Sequence, residues 1–203
     1  NLGRGWVLGE TLITGIGQGY TQTTPLQLCL MTAQIANGGY KIKPKIIVND
    51  DPLTLEDAKN LMELQSLQKP NTRLFNDSKN IKIVQEAMFS STNEQFGTSY
   101  RSRIDDPKYQ FAGKTGTAQV KRISKREREL DLKLEQIPYK DRDHALYVAY
   151  GPYKNPRYAL SIIVEHGGSG SKAAAPMAKE LFKLIIDRDE LRDKQSNFEN
   201  INI

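Results

Sequence analysis

Residues 111–120, FAGKTGTAQV, set a Lys-Thr-Gly-Thr run inside a stretch that reads as a strand with almost no side-chain bulk. Gly and Ala weaken a strand, because neither offers much to pack and Gly costs backbone entropy. A strand composed this way predicts that something lies close against its backbone.

Downstream, HALYVAYGPYKNPRYALSIIVEHGG (144–168) holds two β-rich runs around Gly-Pro and Asn-Pro, a hairpin pattern. A closing helix is expected from about Ala174, with Pro176 in its first turn and Met177, Leu181, Leu184 and Ile185 on one face. Residues 191–203 read as a polar, frayed tail.

Upstream, GIGQGYTQTTPLQLCLMTAQIANGG (15–39) contains a helix capped by Thr24, with Pro25 at its first position and Gln27 reaching back. Asn37-Gly38-Gly39 ends it. Leu26, Leu28, Cys29, Leu30, Met31, Ala33, Ile35 and Ala36 surround this helix with apolar side chains, which predicts a place at the centre of the core. KIKPKIIV (41–48) reads as a short strand or extended segment, and the polar residues 49–80 allow one weak helix near 55–66. Ile81, Val84 and Met88 recur at helical spacing in NIKIVQEAMFSS (80–91), and NEQFGTSYRS (93–102) is a loop leading into the strand.

Residues 121–143 carry eight basic and six acidic side chains around an apolar stripe of Ile123, Leu130, Leu134 and Ile137, with Ser124 and Glu127 spaced as a capping box. They read as a helical surface insertion. The predicted class is α+β, an antiparallel sheet flanked by helices, with residues 1–190 forming one unit.

Composition sets the outer bounds. A chain of 203 residues, 38% hydrophobic, is one domain or one plus appendages, and a domain of that size buries about 70% of its unfolded surface without staples. Twenty-nine basic against 24 acidic residues give a net charge of +5, spread along the chain. That distribution argues against nucleic acid as a partner. The single cysteine, Cys29, excludes an internal disulfide. No apolar run approaches the ~18 residues of a membrane span, and the opening NLGRGW, without Met or leader, suggests a soluble piece of a longer protein.

Two glycine-rich stretches fail as phosphate loops. GIGQGY (15–20) has Tyr20 where a dinucleotide fingerprint needs Gly, and GGSGSKA (167–173) has Ser171 where a P-loop needs Gly before Lys172. His144 and His166 lack neighbours at metal-ligand spacing, so no zinc site and no cofactor are expected.

Lys-Thr-Gly is one of three short motifs of the penicillin-recognising serine enzymes, with Ser-x-x-Lys and Ser-x-Asn/Asp. By itself it is weak, since about one chain of this length in ten would hold it by accident. Apparent partners occur at Ser66–Lys69, Ser169–Lys172, Ser78–Asn80 and Ser91–Asn93. A serine activated by a lysine three residues on needs both on one helical turn. Pro70 disfavours that geometry after Lys69. Ser169 lies in a Gly-rich loop, and the other two read as the cap and exit of the 80–91 helix. None reads as a nucleophile.

The neighbourhood of the triplet raises its weight. GIGQGYTQTTPLQL, AGKTGTAQV and RDHALYVAYGPYKNPRYALSIIVEHGGSGS, in that order and spacing, resemble the C-terminal part of the transpeptidase domain of class B, elongation-type penicillin-binding proteins, the penicillin-binding protein 2 family. The likeness covers most of residues 1–187 and is weak at 50–80. It implies a partial domain of the penicillin-binding, β-lactamase-like fold. It implies acyl transfer from D-Ala-D-Ala stem peptides of peptidoglycan, with β-lactams acylating the same serine. In that family the nucleophile, the Ser-x-Asn/Asp motif and a membrane anchor all lie upstream of the part resembled.

By this resemblance Lys114 faces the serine as a positive charge and proton-relay partner. Thr115 and Thr117 offer hydroxyls to the substrate's terminal carboxylate, the Thr117 N–H is half of an oxyanion hole, and Gly116 leaves room for a peptide to lie along the strand. The implied partners are stem peptides, β-lactams and membrane proteins of the elongation machinery. The implied location is the bacterial inner membrane, with this domain in the periplasm. A β-lactamase or carboxypeptidase is a lesser variant, and a non-catalytic β-lactam sensor or scaffold of the same fold is the alternative.

Overall fold

The computed structural model describes residues 3–44, 72–74, 77–121 and 132–201, with side chains to 191. In chain order the elements are α1 (Leu8–Gly15), α2 (Pro25–Ala36), α3 (Ser78–Asn93), a 3-10 turn (Tyr100–Ser102), β1 (Ala112–Ala118), 3-10 turns at Leu134–Gln136 and Tyr139–Asp141, β2 (His144–Gly151), β3 (Tyr158–Val164), a π turn (Gly170–Ala174) and α4 (Ala175–Ile201). The strands form one antiparallel sheet in the order β1-β2-β3, as the small-residue strand and the hairpin pattern predict.

Register divides the sheet into two faces. Thr115 lies opposite Tyr147 and Tyr147 opposite Ile162, while Lys114 lies opposite Val148 and Val148 opposite Ser161. Directly opposed residues share a face. Gly113, Thr115, Thr117, Tyr147 and Ala149 therefore look toward α4, with Ala112, Lys114, Gly116, Val148 and Tyr150 on the other side. The first face packs Tyr147 and Ala149 with Phe111 against Ala174, Ala175, Ala178, Phe182 and Ile186; the Phe111 and Phe182 rings stack 4.8 Å apart. The second face packs Ala112 and Tyr150 on Met88 of α3, with Ile35 and Ala36 of α2 alongside.

The caps of α2 form as read: the Gln27 N–H donates to Thr24 Oγ1 at 3.2 Å, and the Thr24 N–H donates to Gln27 Oε1 at 2.8 Å. Its predicted central position is not found. Thr32 is its one buried residue, and Leu26 and Met31 are exposed, so α2 lies on the sheet by one side only. In α3 the buried residues are Ile81, Met88 and Thr92, while Val84 is 40% exposed. Asp77, not Ser78, caps α3, its carboxylate accepting the Lys79 N–H at 2.8 Å; Ser91–Asn93 form its last turn.

The expected face of the closing helix is corrected as well. Met177, Leu181 and Leu184 point outward, and the buried stripe is Ala174, Ala175, Ala178, Phe182 and Ile186. At the start of the helix the sheet side is taken by alanines, which let the backbone approach closely there. Gly170 permits that approach: a Cβ there would overlap the Leu146 carbonyl oxygen and sit 2.7 Å from the Gly116 carbonyl oxygen. The helix backbone continues through the expected polar tail to Ile201.

α1 was not foreseen from the sequence. Its N-terminus is fixed by Glu10, only 7% exposed, which accepts the Val7 N–H at 2.7 Å and pairs with Arg4 at 2.8 Å. Of the expected insertion at 121–143, residues 132–143 form two 3-10 turns instead of an α-helix. The capping pair Ser124/Glu127 and the stripe residues Ile123 and Leu130 lie outside the described residues. Leu134 leans on the loop after β3, where a Cβ on Gly168 would meet its side chain at 2.9 Å or less. Residues 41–44 make no strand; a single bridge joins Tyr40 to Arg73. The helix expected near 55–66 also lies outside the described residues.

Candidate active site on the sheet edge

Among the described residues β1 is an edge strand, paired with β2 alone. Its other edge is divided into two parts. Asn93 Nδ2 donates to the Phe111 carbonyl at 2.9 Å, and Thr92 Oγ1 reaches the Gly113 carbonyl at 3.5 Å, so the end of α3 covers the first part. Further along, the Thr115 carbonyl accepts from Lys114 Nζ at 2.9 Å and from no other group among the described residues. The carbonyls of 111, 113 and 115 are thus met from the side away from β2. In an antiparallel strand the N–H and C=O of one residue point the same way and alternate along the chain. The N–H and C=O of Thr117 therefore also face the open edge.

The side chains straddle that edge. Lys114, exposed, lies on the α2/α3 face together with the position of Gly116, and Thr115 and Thr117 lie on the α4 face. A ligand that meets the lysine and both threonines has to run along the edge between them. Gly116 leaves the near side of that path open: a Cβ there would touch Leu146 Cβ at 3.3 Å, with little else nearby. The exposed Thr117 hydroxyl has no partner among the described residues.

The edge is backed by a hydroxyl cluster that the sequence gave no reason to single out. Tyr147 Oη lies 3.0 Å from Thr92 Oγ1 and 3.1 Å from Ser99 Oγ, all three residues being buried. Burial pushes the Tyr147 phenol up, and its bonds to Ser99 and Thr92 oppose that shift. Closer to the surface, Thr98 Oγ1 lies 3.2 Å from Thr115 Oγ1 and 3.2 Å from Ser91 Oγ. Thr92 and Ser99 sit 21 and 14 residues before Gly113 with no common motif, so only their meeting at Tyr147 reveals them.

Among the described residues the other serine candidates make no hydrogen bond to a lysine side chain. Ser169 Oγ pairs with Ser171 Oγ at 3.0 Å, and Ser91 pairs with Thr98. The Ser66–Lys69 pair lies outside the described residues. The two histidines, separate in sequence, do meet: the His166 N–H donates to His144 Nδ1 at 2.9 Å, and His166 Nδ1 lies 2.9 Å from the Arg142 carbonyl. Among the described residues no three potential metal ligands gather.

A sandwiched antiparallel sheet with Lys-Thr-Gly-Thr on an open edge fits the class of penicillin-recognising domains. The chain belongs to the penicillin-binding protein transpeptidase domain family, which it matches over residues 1–183. It is 33% identical over 184 residues to the peptidoglycan D,D-transpeptidase MrdA of Salmonella typhimurium, covering 91% of this chain and 28% of that protein. The MrdA of Acinetobacter baumannii is 36% identical over 185 residues, covering 87% of this chain and 24% of that protein. Among solved structures, PBP2 of Helicobacter pylori in complex with MreC superposes with a TM-score of 0.65 at 32% identity, over 90% of this chain and 29% of that one. PBP2 of Pseudomonas aeruginosa in complex with WCK 5153 gives 0.65 at 34% identity, over 89% and 34%. The chain thus spans about a quarter to a third of the length of these relatives.

Proposed function

We propose that the complete protein containing this chain is a peptidoglycan D,D-transpeptidase of cell-wall elongation, and that these residues supply its substrate strand. The observation that carries the reading is the open part of the β1 edge, which presents Lys114 on one face, Thr115 and Thr117 on the other, and the Thr117 N–H between them. An extended peptide ending in D-Ala-D-Ala adds to such an edge as a further antiparallel strand. Its terminal carboxylate is taken by the Thr115 and Thr117 hydroxyls. The Thr117 N–H donates to the carbonyl oxygen as it gains charge, a contribution worth about 10²–10³ in rate. Lys114 supplies positive charge beside the attacking serine, which comes from a Ser-x-x-Lys segment outside these residues.

The same reading extends to partners and place. Stem peptides and β-lactams occupy the edge, and membrane proteins of the elongation machinery bind elsewhere, a reading supported by the likeness to the Helicobacter pylori protein solved with MreC. The protein sits in the inner membrane with this domain in the periplasm, through an anchor N-terminal to these residues. Among the described residues no helix is long and apolar enough to cross a membrane.

The test is Lys114→Ala in the full-length protein, followed by labelling with a fluorescent penicillin. Labelling slowed at least tenfold at unchanged melting temperature is the expected result, a barrier increase of about 1.4 kcal/mol or more. Undiminished labelling would overturn the reading.

A further inference from the structure

We propose that Thr98 is a positioning residue for Thr115, the link of a hydroxyl relay from Ser91 through Thr98 to Thr115 that turns the Thr115 proton toward a bound carboxylate. The inference rests on the substrate-strand reading above and adds a residue to it.

The geometry is a chain of three hydroxyls. Ser91 Oγ, in the last turn of α3, lies 3.2 Å from Thr98 Oγ1, which lies 3.2 Å from Thr115 Oγ1. Each hydroxyl carries one proton and can accept from others. Lys114 Nζ, which only donates, stands 3.5 Å from Thr115 Oγ1, and it takes that oxygen as an acceptor. The single proton of Thr115 is then free to point to Thr98 or outward. With the edge empty, either direction serves. A carboxylate accepts and cannot donate, so its arrival demands the outward direction. Thr98 must then become the donor to Thr115, and Ser91 the donor to Thr98. The relay can reverse because every member is a hydroxyl, and aligned hydroxyls polarise one another.

The backbone holds Thr98 in position. A Cβ on Gly97 would overlap the Ser91 carbonyl oxygen and sit 2.5 Å from that of Ser90, so only glycine lets the chain fold back onto the end of α3 there. On the other side, the Ser99 N–H and Oγ both donate to the Ser91 carbonyl, each at 3.0 Å, and Ser99 Oγ meets Tyr147. Thr98 is thus pinned on both sides while its own side chain stays exposed at the point where the covered part of the β1 edge gives way to the open part.

The experiment uses the full-length protein with Thr98→Val, Thr98→Ser, Thr115→Val and the double Thr98→Val/Thr115→Val variant. Acylation by benzylpenicillin and by its methyl ester is followed by stopped flow, beside a thermal melt for each variant. Thr98→Val should slow acylation by the free acid about fivefold, the effect of one neutral hydrogen bond, and slow the ester less, because its uncharged carbonyl is the weaker acceptor. Thr98→Ser should restore the rate, and the double variant should be no slower than Thr115→Val alone. Thr98→Ala is a second route to the same loss if the valine variant melts early. An equal effect on acid and ester, no rescue by serine, or additive losses would overturn the relay. If Thr115→Val discriminates acid from ester but Thr98→Val does not, the relay alone falls. If Thr115→Val changes neither, the substrate-strand reading falls with it.

Discussion

The Tyr147 hydroxyl occupies the space that a side chain on Gly113 would need, 3.0 Å from Thr92 Oγ1 on the neighbouring helix. The first glycine of the small-residue strand is therefore a structural requirement, and the second, Gly116, is not: no buried side chain stands behind it. The two glycines lie three residues apart and make opposite predictions.

Gly113→Ala should destabilise the protein by about 2–3 kcal/mol, because the methyl group meets the Tyr147 ring in a close-packed interior. Tyr147→Phe should cost only about 1 kcal/mol, since Thr92 and Ser99 keep each other as partners at 3.3 Å. Urea denaturation of both variants checks the pair. A neutral Gly113→Ala would mean that β1 yields more easily than its register implies.

Gly116→Val should leave stability within about 1 kcal/mol, the scale of β-propensity effects. Its nearest neighbour is the Leu146 side chain, which needs to give by only a few tenths of an ångström. In the full-length protein, acylation by penicillin should slow at least tenfold, because the isopropyl group intrudes on the ligand's path along the edge. Stopped-flow acylation beside a denaturation curve separates the effects, and normal acylation would remove the ligand from this strand.

The closing helix gives a paired test of packing. Phe182→Ala, at a fully buried position stacked on Phe111, should cost about 3–5 kcal/mol. Leu184→Ala, at 66% exposure, should change stability by less than about 0.5 kcal/mol. Similar losses at both positions would contradict the helix orientation described.

The junction of residues 106–109 with α4 should give an acid-sensitive element. Tyr109 Oη donates to Asp187 at 2.5 Å and Lys108 Nζ at 3.1 Å, and these two bonds, the tyrosine's first, hold the Asp187 carboxyl below its ordinary 3.8. A lowered carboxyl stabilises the fold above its unfolded value, and that contribution is lost as pH falls through the folded one. Wild type should melt above Asp187→Asn at pH 6, with the gap closing only below pH 3.8. A gap that persists unchanged to pH 2 would show that the carboxylate's charge contributes nothing.

The sequence by itself determined the parts whose causes are local. Thr24, Pro25 and Gln27 make the cap of α2 within four residues, the Gly-Pro and Asn-Pro turns mark the hairpin, and the small residues of 112–118 announce a strand with something against it. The Lys-Thr-Gly-Thr run was legible because the motif is contiguous. Tertiary structure alone decided which face of each element is buried and which side of β1 is open. At the start of the closing helix Ala174, Ala175 and Ala178, and not the larger Met177, meet the sheet, since the close approach of the backbone there favours small side chains while apolar periodicity counts only size and polarity. The meeting of Tyr147 with Thr92 and Ser99, and of Thr115 with Thr98, joins residues 17 to 55 positions apart. Such contacts follow from strand register and the path of the 94–99 loop, which no local pattern encodes.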